Sequence, residues 1–172
     1  MNAVVASGVA AREYAKAFDS AWLDFTKGLG APVGAALAGS REFIAQAWRL
    51  KQQMGGAMRQ AGIIAAGGIF ALRHHVSRLK EDHVNARRLA EGLCKLPGVV
   101  LDPTSVETNI VIFELNSSVD ATRALATLLT RGVRMGAMGP RTVRAVTHLD
   151  VSPPQIEHAL EAAAYALSEA TR

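Results

Sequence analysis

The sequence predicts an α/β protein: a strand–turn–strand and two helices in its amino-terminal part, a long connecting helix, and a carboxyl-terminal ββαββα-like unit. Short alternating or apolar runs at 21–26, 33–39, 99–102, 109–114, 133–136 and 142–146 carry the strand prediction. Longer segments between them place apolar residues three and four apart, as helices do. The 172 residues, 49% hydrophobic and 20% charged, suit a globular chain with a substantial core and exclude a disordered or collagenous one.

Each element has its own signal. Met1 to Gly8 is apolar and helix-like with no cap before it. Ala21 to Thr26 alternates and runs into Lys27-Gly28-Leu29-Gly30, so a strand delivers a lysine to a turn. The glycines and Pro32 turn the chain into a second short strand, Val33 to Gly39, expected to be buried. Ser40 is an N-cap with Glu42 in the first turn of a helix carrying Phe43, Ile44, Ala47, Trp48 and Lys51, which Gly55-Gly56 stops. Ala57 to Leu72 is apolar and small nearly all round, which predicts a helix packed on most sides. Its Gly67-Gly68 pair costs helix propensity, so a close backbone approach is expected there. Val76, Leu79, His83, Ala86, Ala90 and Leu93 mark a long amphipathic helix ending before Pro97-Gly98. Beyond it, strands at 99–102 and 109–114 precede a helix from Ser118 to Arg131 closed by Gly132. Two more strands follow, and Ser152-Pro153-Pro154-Gln155 is a capping box opening a last helix on Ile156, Leu160, Ala163 and Leu167.

Composition narrows the function classes. One cysteine, Cys94, excludes an internal disulfide framework and a cysteine-rich zinc site, and we expect no metal. No signal peptide and no apolar run of about 20 residues is present, which points to a cytoplasmic protein without a membrane partner. The net charge of +4 comes from basic residues spread among acidic ones (Arg73, Arg78, Lys80, Glu81, Asp82, Arg87, Arg88, Glu91), as on a solvated helix face, and aromatics make up 5% of the chain. That pattern argues against a nucleic-acid partner.

Lys27 is the residue with the clearest chemical potential. A positioned lysine amine at a strand end, held in a glycine-rich turn and kept uncharged by burial, suits attack on a carbonyl. The same spacing also fits an exposed turn lysine beside turn glycines. His74-His75 at a helix junction reads as solvated, because adjacent helical residues do not face each other. His148 and Asp150 share a register that packing explains as well as acid–base chemistry does. Cys94 reads as a small boundary residue.

A specific resemblance joins these features. DFTKGLGAPVGAALAGS (24–40), QQMGGAMRQAGIIAAGG (52–68), HHVSRLKEDHVNARRLAEGL (74–93), ETNIVIFEL (107–115) and VRAVTHLDVS (143–152) resemble, in order and at consistent spacing, the threonine aldolases of the β-eliminating lyase superfamily. The resemblance implies the pyridoxal-phosphate fold type I, the aspartate-aminotransferase type. It implies residues 1–74 as the carboxyl part of the large domain, 75–97 as the connecting helix and 98–172 as the small domain. It implies that Lys27, in TKGLG where the family has SKGLG, carries pyridoxal 5'-phosphate. It further implies that Arg59 lies near the cofactor and the subunit interface, and that Arg144 holds the α-carboxylate of an amino-acid substrate. Departures from the family pattern fall at Gln52, often lysine, and at Gly55-Gly56-Ala57, often three glycines.

The family chain is about twice as long, so the resemblance makes this chain its carboxyl-terminal half and Met1 an internal methionine. The groups that hold the ring nitrogen and the phosphate are then expected upstream, and the chain as written is expected to be inactive by itself. The implied reaction is aldol cleavage of threonine or allo-threonine to glycine and acetaldehyde, by a homo-oligomer, dimer or tetramer. The alternatives are another lyase of the superfamily and a non-catalytic assembly piece.

Overall fold

A computed structural model of the chain describes residues 1–171, and they divide into two units, Met1–Leu79 and Lys80 onward, each with its own core.

The first unit opens with two short helices, α1 (Asn2–Ser7) and α2 (Ala11–Ala15), neither with a side-chain cap. β1 (Ser20–Asp24) and β2 (Ala35–Gly39) pair antiparallel as a two-stranded sheet, with Asp24 opposite Ala35 and Ser20 opposite Gly39. β2 is exposed along its whole length, against the expectation of a buried strand. Two strands give a ribbon with no further neighbour to cover it, and small apolar side chains do not bury one another across it.

α3 (Arg41–Gln53) begins as expected, the Ser40 hydroxyl oxygen accepting from the Phe43 N–H at 3.1 Å. It ends at Met54, where Gly55 turns left-handed. α4 (Gly62–His74) starts later than the apolar run suggested, because residues 55–61 form the connecting loop, with Gln60 at φ 51. Nor is α4 packed on most sides: Gly68 and Ala71 are buried, whereas Ile63 is 85% exposed and Ile69 and Phe70 are also exposed. Its buried face is the one where Gly67 and Gly68 lie. A Cβ on Gly67 would sit 3.0 Å from Pro32 Cδ and one on Gly68 3.1 Å from Phe25 Cδ2. The glycine pair therefore admits the close approach expected of it, to the segment that follows β1. Leu29, Ala31, Ala71 and Leu79 form the buried cluster there, flanked by Met1, Val5, Phe25 and Val76.

The second unit holds most of the buried apolar surface. α5 (Leu79–Leu93) starts at the unit boundary, and its residues Ala86, Leu89, Ala90 and Leu93 are buried. β3 (Val99–Val100), β4 (Ile110–Leu115), β5 (Gly136–Ala137) and β6 (Thr142–Val146) form an antiparallel sheet in the order β3-β4-β6-β5. With α6 (Ala121–Thr130) and α7 (Pro153–Ala170) the order is ββαββα, as the sequence predicts. Val111, Phe113, Leu115, Val143 and Ala145 form the inner face of the sheet, packed with an alanine-rich stripe of α7. Small residues let that helix come close.

The caps are local and legible. Asp120 accepts from the N–H groups of Thr122 and Arg123, and Gln155 Oε1 accepts from the Ser152 N–H at 2.7 Å and its hydroxyl at 2.8 Å. Asp102 caps a single 3₁₀ turn (Pro103–Ser105), and the hydroxyl and N–H of Thr104 hold its carboxyl below the usual aspartate range. β3 is shorter than expected because this turn takes over the chain.

Gly98, between α5 and β3, has φ +86, and a Cβ there would lie 2.6 Å from Val119 Cγ2. Gly98→Ala is therefore expected to destabilise the second unit by about 1 to 3 kcal/mol, from backbone strain and overpacking together. Urea unfolding followed by circular dichroism checks it; an unchanged midpoint would show that the turn relaxes freely.

Candidate functional site

The turn that presents Lys27 is held by backbone bonds and by its apolar neighbours. The Gly30 N–H donates to the Lys27 carbonyl at 2.8 Å, the Ala31 N–H to the Phe25 carbonyl at 2.8 Å, and the Phe25 N–H to the Gly34 carbonyl at 3.1 Å. Leu29, 1% exposed, is the apolar plug that seats the turn in the cluster with Ala71 and Leu79. Gly28 lies so close to Asn2 and Leu79 that a Cβ would be 2.7 Å from Asn2 Nδ2. Lys27 points outward. Its side chain is 75% exposed, with Nζ 3.9 Å from Asp24 Oδ2. The expectation of a buried amine is thus corrected for this structure: the chain firmly positions the lysine but does not desolvate it, because the two-stranded ribbon offers no wall around it. A surface pair of this kind contributes little to stability.

Arg59 lies in the exposed loop between α3 and α4, immediately before Gln60 and its left-handed backbone. Its guanidinium makes no hydrogen bond or ion pair among the described residues.

Arg144 belongs to the second unit. It is the middle residue of β6, opposite Ile112 of β4 on one side and Gly136 of β5 on the other. Strand alternation places Val143 and Ala145 in the core and Arg144 on the opposite, open face, with Val146 and Ile112 exposed beside it. Gly136 leaves one flank bare, since a Cβ there would meet only the Arg144 carbonyl oxygen, at 3.9 Å. The guanidinium makes no hydrogen bond or ion pair among the described residues, so the surface ion pair that a strand arginine commonly forms is not the one seen here.

Buried polar groups fix the strand that carries Arg144. The Thr147 hydroxyl donates to the Asp82 carbonyl at 2.6 Å, and the Asn109 amide donates to the Thr147 carbonyl at 2.9 Å. The Asn85 amide donates to the Val151 carbonyl at 2.9 Å. These bonds tie α5, β4 and the end of β6 together, which gives Asn109 and Thr147 a structural reason to stand in ETN and VTH. His148 and Asp150 lie in the turn after β6 and not on a strand, with Nδ1 and Oδ1 3.1 Å apart.

His75 differs from the sequence reading. It is half-buried and its Nδ1 lies 2.6 Å from the Leu29 carbonyl oxygen, whereas the exposed His74 ring stacks on Phe70. Sequence reasoning missed this bond because its partner lies 46 residues away; the available signal was the four-residue spacing of Gly67, Ala71 and His75.

The first unit thus presents a primary amine on a braced turn and a guanidinium in an exposed loop, and the second a guanidinium on an open sheet face. An amine suits an aldehyde, and guanidinium groups suit carboxylate or phosphate, so these residues fit a phosphorylated aldehyde cofactor and an amino-acid substrate.

The chain is 41% identical over 155 residues to the low specificity L-threonine aldolase of Escherichia coli strain K12, and 36% identical over 161 residues to a probable low-specificity L-threonine aldolase 2 of Arabidopsis thaliana. These alignments cover 90% and 92% of this chain but 45% of either relative, so the chain spans about half the length of the curated relatives it matches. In structure it superposes on a protein from Exiguobacterium sp. 255-15, described as an aromatic amino acid beta-eliminating lyase/threonine aldolase, with a TM-score of 0.73 at 22% identity over 96% of this chain and 49% of the other. It superposes on Sphingomonas wittichii serine palmitoyltransferase with a TM-score of 0.68 at 20% identity, covering 88% of this chain and 40% of that one. The fold is accordingly that of the pyridoxal-phosphate enzymes of fold type I. The family model for beta-eliminating lyases matches residues 1–116, which include both the lysine turn and the α4 face beneath it, and the chain belongs to the beta-eliminating lyase family.

Proposed function

We propose that the protein cleaves β-hydroxy-α-amino acids with pyridoxal 5'-phosphate, converting threonine or allo-threonine to glycine and acetaldehyde. The observation that carries this reading is the Lys27 amine, presented by a braced TKGLG turn in a chain 41% identical to a threonine aldolase. When bound, the cofactor accepts the electron pair released as the Cα–Cβ bond breaks. The rest falls to side chains. Lys27 attaches the cofactor through its amine. Arg59 supplies positive charge near the cofactor. Arg144 would pair with the substrate carboxylate in bidentate fashion and so orient the substrate. The β-hydroxyl loses its proton as the aldehyde forms, and Cα gains one to give glycine, so atoms balance.

A product assay tests the reading. Threonine given to the full-length protein with pyridoxal phosphate should yield acetaldehyde and glycine in equal amounts. Pyruvate from serine or cysteine as the sole product would replace aldol cleavage with β-elimination, which the family match also supports.

Assembly with further copies is part of the proposal. Trp22, Met54, Ile63 and Phe70 in the first unit expose apolar surface that a lone soluble chain seldom leaves open. Sedimentation at micromolar concentration should show a dimer or tetramer. Among the described residues no helix is long and apolar enough to cross a membrane.

A further inference from the structure

We propose that His75 is a positioning residue for Lys27, acting through the backbone of the lysine turn; this rests on the reading of Lys27 as the cofactor lysine. One face of α4 carries the argument. Gly67, Ala71 and His75 follow at four-residue steps, with Gly68 beside the first, and residues four apart lie one above the other on a helix. All four meet the same segment. Gly67 faces Pro32, Gly68 faces Phe25, Ala71 joins the cluster of Leu29, and His75 reaches the Leu29 carbonyl. The glycines let the helix approach, and His75 at its carboxyl end then ties it to the turn.

The chemistry of the bond explains why a histidine serves. Leu29 is 1% exposed, and a buried carbonyl without a donor costs free energy. A carbonyl oxygen only accepts, so Nδ1 is the nitrogen that carries the proton of this bond. Phe70 packs edge-on to the ring, with centroids 5.4 Å apart at 87°, which limits its rotation. Two of the bonds that shape the turn are made within residues 25–31; this one arrives from 46 residues away and refers Lys27 to a helix. An amine that must meet a cofactor aldehyde gains from such a reference, since a displacement of about 1 Å at a reacting group costs on the order of 10²-fold in rate.

The test compares His75→Asn, whose amide nitrogen can take the place of Nδ1, with His75→Leu, of similar bulk but without a donor. Two readouts are followed in the full-length protein: amide hydrogen exchange at Gly30 and Ala31, and the rate at which pyridoxal phosphate labels Lys27, trapped with borohydride and mapped by peptide mass. Exchange in the leucine variant should quicken about tenfold and labelling should slow about tenfold, with the asparagine variant within about threefold of wild type. Should the leucine variant fail to fold, His75→Ala, smaller and also without a donor, takes its place with the same expectation. Unchanged exchange in the donor-free variant, or equal losses in it and in the asparagine variant, would overturn the proposal. If wild-type Lys27 takes no label, the cofactor reading fails, while the exchange comparison still decides whether His75 braces the turn.

Discussion

Replacing Lys27 with alanine is expected to remove cofactor attachment and to lower turnover of threonine by roughly 10³-fold or more, on the order of 4 kcal/mol of barrier. Folding should not change. The side chain is 75% exposed, its ion pair with Asp24 is long, and exposed substitutions of this kind usually move stability by less than about 0.5 kcal/mol. The combination distinguishes a chemical role from a structural one. Borohydride trapping should place a phosphopyridoxyl group on the wild-type peptide containing Lys27 and none on the variant, with equal thermal midpoints. A variant that keeps its turnover would remove Lys27 from the reaction, and with it the proposed cofactor site.

Arg144 should show a different signature. Truncating a charge that pairs with a ligand typically costs about 2 to 4 kcal/mol, so Arg144→Ala is expected to lower kcat/KM for threonine roughly 30- to 10³-fold, mainly through KM. Arg144→Lys keeps the charge but loses the planar fork, and about a tenfold loss is expected. Because Arg144 lies on the open face of the sheet and makes no ion pair among the described residues, neither change should alter the unfolding midpoint by more than about 0.5 kcal/mol. Steady-state kinetics over a wide threonine range check both. An unchanged KM in the alanine variant would assign carboxylate binding elsewhere. Cofactor labelling of Lys27 should survive both variants, which separates the two sites experimentally.

What could be read from the sequence was whatever depends on neighbours along the chain. The Ser40 and Ser152 caps, the ββαββα order and the Gly67-Gly68 approach all have local signals, and each is present. Errors arose where coverage decides. Apolar periodicity says which residues prefer burial but not whether anything lies over them, so β2 and most of α4 read as buried and stand exposed. The site divided along the same line. Lys27 and Arg144 were singled out through the family resemblance, whereas the exposure of the amine and the bare flank beside Arg144 at Gly136 depend on strand pairing that no local window contains.

By itself the sequence determined the element types, the helix caps, and a family resemblance whose motifs put a lysine in a glycine turn and an arginine on a strand. Only the tertiary structure decided that Arg144 faces away from the core, because register assigns every side chain of a strand to one face or the other. Only it decided that His75 belongs to the lysine turn, because a hydrogen bond across 46 residues leaves no trace in local periodicity.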